Sequence, residues 1–524
     1  MIGCSKTSAA PGGLGPNATE LEAELALGSP RKTLGAATQP GGVNVLAKNR
    51  TALAMLVAAL IPPTLVGRQL SGRPPEPPLK SFTLGEAIRY ALANYPAVRA
   101  SMEQVSGAKA GVGLARTNYL PRLDSLWQSN RATDNNIAGL LLPQPYLPSI
   151  SGPVPLSTSY RGVWGSAAGV LFSWEPFDFG LRRAEVNAAT GAVQQASSEV
   201  SLTELQVAVA VADAFFTVLT DQQTLKAAQA DLERRQVFAK AVHVLVDNQL
   251  RPGADASRAD ADLAAARIEV IQAKGAEQSA RAVLAALMGT AGTPIAIESG
   301  PLLTLPSENS LPSSEVSSHP LALSEQATLE ELRDQEHVLK RTDYPRFYFQ
   351  SSFYGRGSGI GTDGSFASGL NGLGLERGNW AAGVTVQFPN LFDFAALRAR
   401  KGVLAADERA EAARYNQALQ DLTGQLDQAR IKLQTTLDVA QNTPVELEAA
   451  RTSEIQARAR YQAGLAALVE VADAQSLLAQ AEMDDAISRV SVWRSLLGVA
   501  YAQGGLAPFL KLLGPMGTGS GGGY

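Results

Sequence analysis

With 524 residues and a net charge of −4, the chain is long enough for several domains and carries no positive balance that would draw it to nucleic acid. Cys4 is its only cysteine, which excludes an intrachain disulfide or a thiolate metal cluster. The three histidines (His243, His319, His337) stand far apart with no HExxH spacing, and aromatic residues make up only 6%, a composition of long helices with small contacts rather than large globular cores.

Residues 1–47 are polar, with Gly, Pro and Ser throughout, and are expected to be disordered or to lie upstream of a native start near Val43 or Val45. KNRTALAMLVAALIPPTLVG (48–67) then joins two basic residues to an apolar run, so 48–72 reads as a secretory signal; Pro62-Pro63 breaks it too early for a spanning helix. No cysteine follows the run, so a lipid-anchored mature end is not expected. Residues 73–80 form a proline-rich linker.

From residue 81 the chain is written twice, as 81–313 and 314–505. NYPAV (94–98) leads to YLPRL (119–123), and SHPLA (318–322) to DYPRF (343–347); in both, the prolines stand 25 apart (Pro96 to Pro121, Pro320 to Pro345) around a helix-compatible stretch. After the second proline the period changes to two. In RFYFQSSFYGR (346–356), Phe347, Phe349 and Phe353 share a face opposite Tyr348, Gln350, Ser352, Tyr354 and Arg356. WGSAAGVLFSW (164–174) and WAAGVTVQF (380–388) alternate likewise, and a fourth strand near Arg122 is marked only by Leu123 and Trp127. Runs of this length with aromatic ends fit transmembrane β-strands, and the long Gly/Ser/Pro/Asn loops at 132–161 and 357–379 fit the extracellular side.

Long helices follow. Leu181–Leu250 is free of proline, and Leu205, Ala208, Ala212, Phe215 and Leu219 step by three and four, as in a coiled-coil seam. After a turn at Arg251-Pro252-Gly253, a heptad runs from Leu263 to Leu287. The second half repeats this from Tyr415 to Leu433, with a turn at Ala463-Gly464 and a return to Gln503; Pro444 is expected to kink or break the downward helix. The tail, 506–524, reads as disordered.

FSWEPFDFG (172–180) contains Asp178-Phe179-Gly180, the triplet that holds magnesium in protein kinases. No glycine-rich loop, strand lysine or HRD loop precedes it, and the GIGTDG at 359–364 opens no helix. Phe-Asp-Phe recurs in VQFPNLFDFAALRARKGVL (386–404), so Asp178, Gly180 and Asp393 are read as joints between a strand and a long helix, where a carboxylate accepts orphan N–H groups.

Strand pairs leading into helical hairpins, duplicated over 81–505, resemble the TolC-type outer-membrane efflux family, the outer membrane factors. The resemblance rests on the paired proline starts, PFDFGLRRAEVNAA (176–189) and RYQAGLAALVEVADAQ (460–475). It implies a mixed fold: a trimeric outer-membrane β-barrel with four strands per chain, continued by a long α-helical coiled-coil periplasmic tunnel. It further implies an exit duct of a tripartite efflux or type I secretion system of a Gram-negative-type bacterium, with no catalytic residue, cofactor or metal. The implied partners are outer-membrane lipid, a periplasmic adaptor and an inner-membrane pump of RND or ABC type, with no nucleic acid.

By position the resemblance assigns an acidic gate to Glu470 and Asp473 and a gate latch to Tyr461. The family's latch arginine position holds Ala466, and its acidic position in the first hairpin holds Ala259, with Asp260 adjacent. Arg251, Pro252, Gly253, Ala463, Gly464 and Leu465 are assigned to adaptor-docking tips. A structural or adhesive coiled-coil rod is the alternative, disfavoured because a rod needs no aromatic strands. An enzyme working through two carboxylates has no cleft signal to support it.

Overall fold

The computed structural model describes residues 81–133, 142, 145, 147, 160–306, 311–312, 315–361, 365–366, 369–389 and 394–513. The signal-like segment, the linker, Asp393 and residues 514–524 lie outside them.

Each proline pair frames a helix. Thr83 opens α1 (Leu84–Asn94) with a capping box to Glu86, and Pro96 is the first residue of α2 (Pro96–Thr117). Pro121 stands just ahead of β2 (Arg122–Thr133). In the second half Pro320 starts α5 (Pro320–Arg341) and Pro345 stands ahead of β5 (Arg346–Ser358). The common spacing follows from two helices of 22 residues each, closed by a short turn. β1 (Ser81–Phe82) pairs in parallel with β4 (Ala296–Ile297), fastening the start of the described chain to the segment after the first hairpin.

β2, β3 (Gly162–Phe177), β5 and β6 (Arg377–Gln387) form one antiparallel sheet in the order β2-β3-β5-β6. The strand with the weakest alternation, β2, pairs with β3 over all twelve of its residues. At 11 to 16 residues the strands equal or exceed the runs read from sequence. Register stacks the apolar residues on one face: Val170, Phe353 and Trp380 in one cross-strand row, Trp174, Phe349 and Val384 in another. Trp127 is 70% and Trp380 78% exposed on that face, a bare apolar surface of the kind that lipid covers. Tyr348, Gln350, Ser352, Tyr354 and Arg356 occupy the other.

α3 (Leu181–Asp247) and α4 (Gly253–Leu287) make the first hairpin, α6 (Phe394–Gln462) and α7 (Leu468–Ala502) the second. At 67 residues, α3 extends about 100 Å. Its seam residues Leu205, Ala208, Ala212, Phe215 and Leu219 are all buried, in a core that also holds Leu284, Met288, Trp493, Leu496 and Phe509. That core sits near the middle of α3, far from both the sheet and the tips.

Neither the break allowed for at Pro444 nor disorder at 507–512 is found. α6 runs unbroken through Pro444. Although proline removes one helical N–H, the buried Thr443 beside it donates its hydroxyl to Asp485 Oδ1 (3.4 Å) and meets the Ser488 hydroxyl (3.1 Å), tying that turn to α7. Residues expected to begin the disordered tail instead form α8 (Ala507–Leu512), because Phe509 inserts against Phe216 and Trp493.

His319 caps the start of α5. Its Nδ1 accepts the Leu321 N–H (3.0 Å) and its Nε2 donates to the Tyr501 carbonyl (3.0 Å), partners that require the neutral ring. Burial lowers its pKa from the usual 6.5. The stability His319 contributes is therefore present above pH 6.5 and lost as pH falls through the folded-state pKa. Glu325 acts in the opposite sense, since burial and a hydrogen bond with Glu411 push it up to about 6, and its contribution is lost as pH rises through that value. Thermal unfolding between about pH 7 and 5 should lose less midpoint in His319→Gln than in wild type, and more in Glu325→Gln.

Candidate functional site

Three places concentrate the residues singled out from sequence. The first is the joint below the sheet. Gly180 takes φ +87°, a turn that only glycine enters without strain, and Asp178 hooks around it. Asp178 Oδ1 accepts the Gly180 N–H (3.0 Å), and Oδ2 accepts both the Arg182 N–H (2.7 Å) and Arg182 Nε (2.8 Å). Burial alone would raise this carboxyl; the bonds from Arg182 and Gly180 outweigh it and hold it below its usual 3.8.

Arg182 also donates to the Asn118 carbonyl (3.3 Å) and lies over the Tyr119 ring, so the turn entering β2 and the turn leaving β3 share one clasp. Phe177 and Phe179 pack 4.6 Å apart, with Tyr344 and Phe347 against them, as an aromatic collar. Asp178→Ala would leave Arg182 buried without its carboxylate and should cost about 3 kcal/mol in chemical denaturation. In wild type that increment is present above pH 3.8 and lost as pH falls through the lowered pKa.

The second place is the pair of hairpin turns. Leu465 N–H bonds to Arg460 O and Gly464 N–H to Tyr461 O, a Schellman closure with Gly464 at φ +78°. In the first hairpin, Leu250 N–H bonds to Leu245 O and Gln249 N–H to Val246 O, with Gln249 at φ +63°. Gln249 is thus the counterpart of Gly464, and Gly253 is instead the first residue of α4. This register equates Leu250 with Leu465, Arg251 with Ala466, and Asp255 with Glu470. Leu250 is 69% and Leu465 71% exposed, so each hairpin ends on a bare leucine, the first of which sequence reading missed. Glycine at 249 removes the left-handed strain, and Gln249→Gly should stabilise the protein by about 0.5–1 kcal/mol in equilibrium unfolding.

The third place surrounds Tyr461, the residue expected to latch a gate. Tyr461 is 1% exposed, packed with Val242, Ala259, Leu468 and Val471. Its hydroxyl donates to Asp255 Oδ2 (3.1 Å), Arg251 Nη2 donates to its carbonyl (2.6 Å), and the Arg251 guanidinium lies 4.3 Å over its ring. Burial, then the Asp255 bond, push the phenol up to about 12. Arg251, at the first-hairpin position equivalent to 466, thus lies over Tyr461, and the carboxylate that Tyr461 meets is Asp255. Asp260, expected beside Tyr461, instead meets His243 Nε2 (2.9 Å), which raises the imidazole pKa. Aligning the two hairpins on Gln249 and Gly464 is the signal that would have found Arg251 and Asp255.

Glu470 accepts the Ala467 N–H (3.3 Å) at the start of α7 and lies 3.4 Å from Arg460 Nη1; Asp473, three residues on, is exposed. Among the described residues no group of three or more His, Cys, Asp or Glu has metal-binding geometry.

The sequence profile of the outer membrane efflux protein family matches residues 87–290 and 311–504, spanning both strand pairs and both hairpins. The chain belongs to that family. Protein CyaE of Bordetella pertussis is 27% identical over 423 residues, covering 77% of this chain and 80% of that protein. Solved structures of similar fold include CusC (TM-score 0.66, 16% identity, 80% of this chain and 92% of that one) and VceC of Vibrio cholerae (0.62, 19%, 80% and 96%). The chain is an outer-membrane channel, an exit duct for efflux or secretion with a long periplasmic portion. At the start of the GIGTDG stretch, Gly359 N–H bonds to the Trp164 carbonyl (2.8 Å) and Ile360 packs on Val163, while residues 362–364 lie outside the described residues.

Proposed function

We propose that three copies assemble into the working duct, each giving four strands to a shared twelve-stranded barrel and two hairpins to a periplasmic tunnel. The observation that carries this is the sheet itself. β2 and β6 each pair on one side only, yet the face between them is clad in exposed Trp, Phe and Val. Backbone groups left open in hydrocarbon cost several kcal/mol each, so such a sheet must close, and four strands are too few. The helices support the same reading: Ile268, Ile271, Val283 and Val439 are exposed apolar residues that neighbouring hairpins would cover.

In this assembly a periplasmic adaptor meets the tips at Leu250 and Leu465, and an inner-membrane pump supplies the energy. The mouth of the duct narrows where Glu470 and Asp473 of three chains converge, six carboxylates repelling by about 1 kcal/mol per close pair in a wet constriction. The Arg251–Tyr461–Asp255 contacts hold the two hairpin ends of one chain together, which keeps that mouth closed.

Single-channel recording in planar bilayers tests the reading. Wild type should give small cation-selective steps whose selectivity falls in Glu470→Gln/Asp473→Asn, and Tyr461→Phe should lengthen the open times by releasing Asp255. Steps of unchanged selectivity in the double variant would remove the gate assignment, and a monomer by light scattering in detergent would overturn the assembly.

A further inference from the structure

The lipid-type face of the sheet continues past the ends of the strands. Below the row of Trp174, Phe349 and Val384 comes one of Phe177, Phe347 and Val386, and below that the ring of Phe179 stacks on Tyr344 (5.4 Å). Phe177 is 53%, Phe179 36% and Tyr344 42% exposed. β3 and β5, which carry this collar, are the two inner strands of the sheet, so copies closing against β2 and β6 meet it elsewhere.

Two features of the collar exceed what a joint requires. Phe179 takes φ +52°, a left-handed conformation that glycine or asparagine enters more readily than a bulky residue, and the strain kept there places an aromatic ring at the surface. The second feature is Arg341, the last residue of α5. Its guanidinium lies 5.5 Å from the centre of the Tyr344 ring, and Nη1 donates to the Phe179 carbonyl (3.4 Å), leaving most of its five N–H groups without a described acceptor.

The carboxylates around Arg341 are engaged with other groups. Glu336 accepts from Lys340 (2.7 Å), and Asp343 Oδ2 from Lys401 (3.2 Å), with Asp343 Oδ1 buried and unpartnered. On the clasp side Asp178 holds Arg182 and Glu185 accepts the Asn118 amide (2.9 Å); Glu175 and Arg346 satisfy each other on the opposite face of the sheet. Arg183, Arg398 and Arg400, at the starts of α3 and α6, add positive charge, and Asp393 lies outside the described residues. Among the described residues the charge left over at this level is basic.

We infer that the collar is a binding site for an anionic glycerophospholipid of the periplasmic leaflet, with acyl chains along Phe177, Phe347 and Phe179 and the phosphate on Arg341. The site needs the outer-membrane placement of the sheet and neither the trimer nor the gate, since one chain supplies every group. Aromatic rings favour the membrane–water boundary, and a guanidinium gives phosphate paired N–H donors. The surplus arginines select a headgroup without a cation, because an ammonium there would meet repulsion. A lipid held in this way fixes the depth of the sheet, so that the helices begin where the hydrocarbon ends.

The test titrates purified full-length protein in uncharged dodecyl maltoside with dioleoylphosphatidylglycerol and, separately, dioleoylphosphatidylcholine, followed by calorimetry. Wild type should bind the anionic lipid at least about fivefold more tightly. Arg341→Gln should lose that preference, and Arg341→Lys should retain at least half of it. Arg430→Gln, which removes the same charge farther along α6, should leave it unchanged. Phe179→Asn, which tolerates the left-handed turn, should weaken both lipids alike by about threefold. Equal binding of the two lipids by wild type would overturn the site without any variant, and a preference that survives in Arg341→Gln would overturn the place given to the phosphate. Millimolar inorganic phosphate should not displace the lipid, since it offers nothing to the phenylalanines; displacement would make this a site for free phosphate and overturn the lipid assignment.

Discussion

A backbone amide in hydrocarbon has no water to turn to, and the design of this chain follows from that constraint. In the assembly proposed above, its four-stranded sheet is one sector of a barrel that a single copy is too narrow to close. Every other feature can be read as a means of presenting that sheet correctly. The prolines at 121 and 345 end the helices that precede the strands, and the Asp178–Arg182 clasp holds adjacent turns together where sheet gives way to helix. The aromatic collar around Phe179 fills the angle between the two architectures.

The hairpins face a different problem, that of remaining straight over about 100 Å with small side chains. Alanine at the contacts lets α3 and α4 approach closely, and ion pairs pin the long helices to one another at intervals. Arg494 grips Asp213 across α7 and α3 near the central core, and Arg234 reaches Glu482 farther toward the tips. The core itself, with Phe215, Phe216, Trp493 and Phe509, acts as a waist from which both hairpins extend. At the tips the chain changes strategy again, ending each hairpin in a tight left-handed turn with an exposed leucine at its apex. Exposed apolar residues at the end of a rod are costly unless something docks there.

Duplication explains both the resemblance and the differences between the halves. The two hairpins share their closing hydrogen bonds residue for residue, yet one places Gln249 and the other Gly464 in the same left-handed conformation. They also share an acid in the first turn of the returning helix, Asp255 or Glu470, but only Asp255 accepts from Tyr461, while Glu470 caps its own helix. Divergence after duplication has given matched positions different tasks, one to hold the ends together and one to face outward beside Asp473.

Much of this was legible in the residues. Period-two runs, proline spacing and heptads are local or repeating signals, and each depends on a backbone geometry that repeats every few residues, so the four strands, the paired hairpins and the buried seam on α3 were readable directly. The apolar face was readable too, because alternation assigns faces before any partner is known. What sequence alone did not reveal depended on contacts far apart in the chain. That α6 continues through Pro444 was decided by Asp485 and Ser488 on α7, and that 507–512 is helical was decided by a pocket between Phe216 and Trp493. The partners of Tyr461 lie more than 200 residues away, so the family resemblance led to Ala259 and its neighbour Asp260 when packing between hairpins had chosen Asp255 and Arg251. By itself the sequence determined the elements and their faces, because these follow from backbone periodicity; tertiary structure alone decided which side chains meet between them, because that depends on how two helices dock.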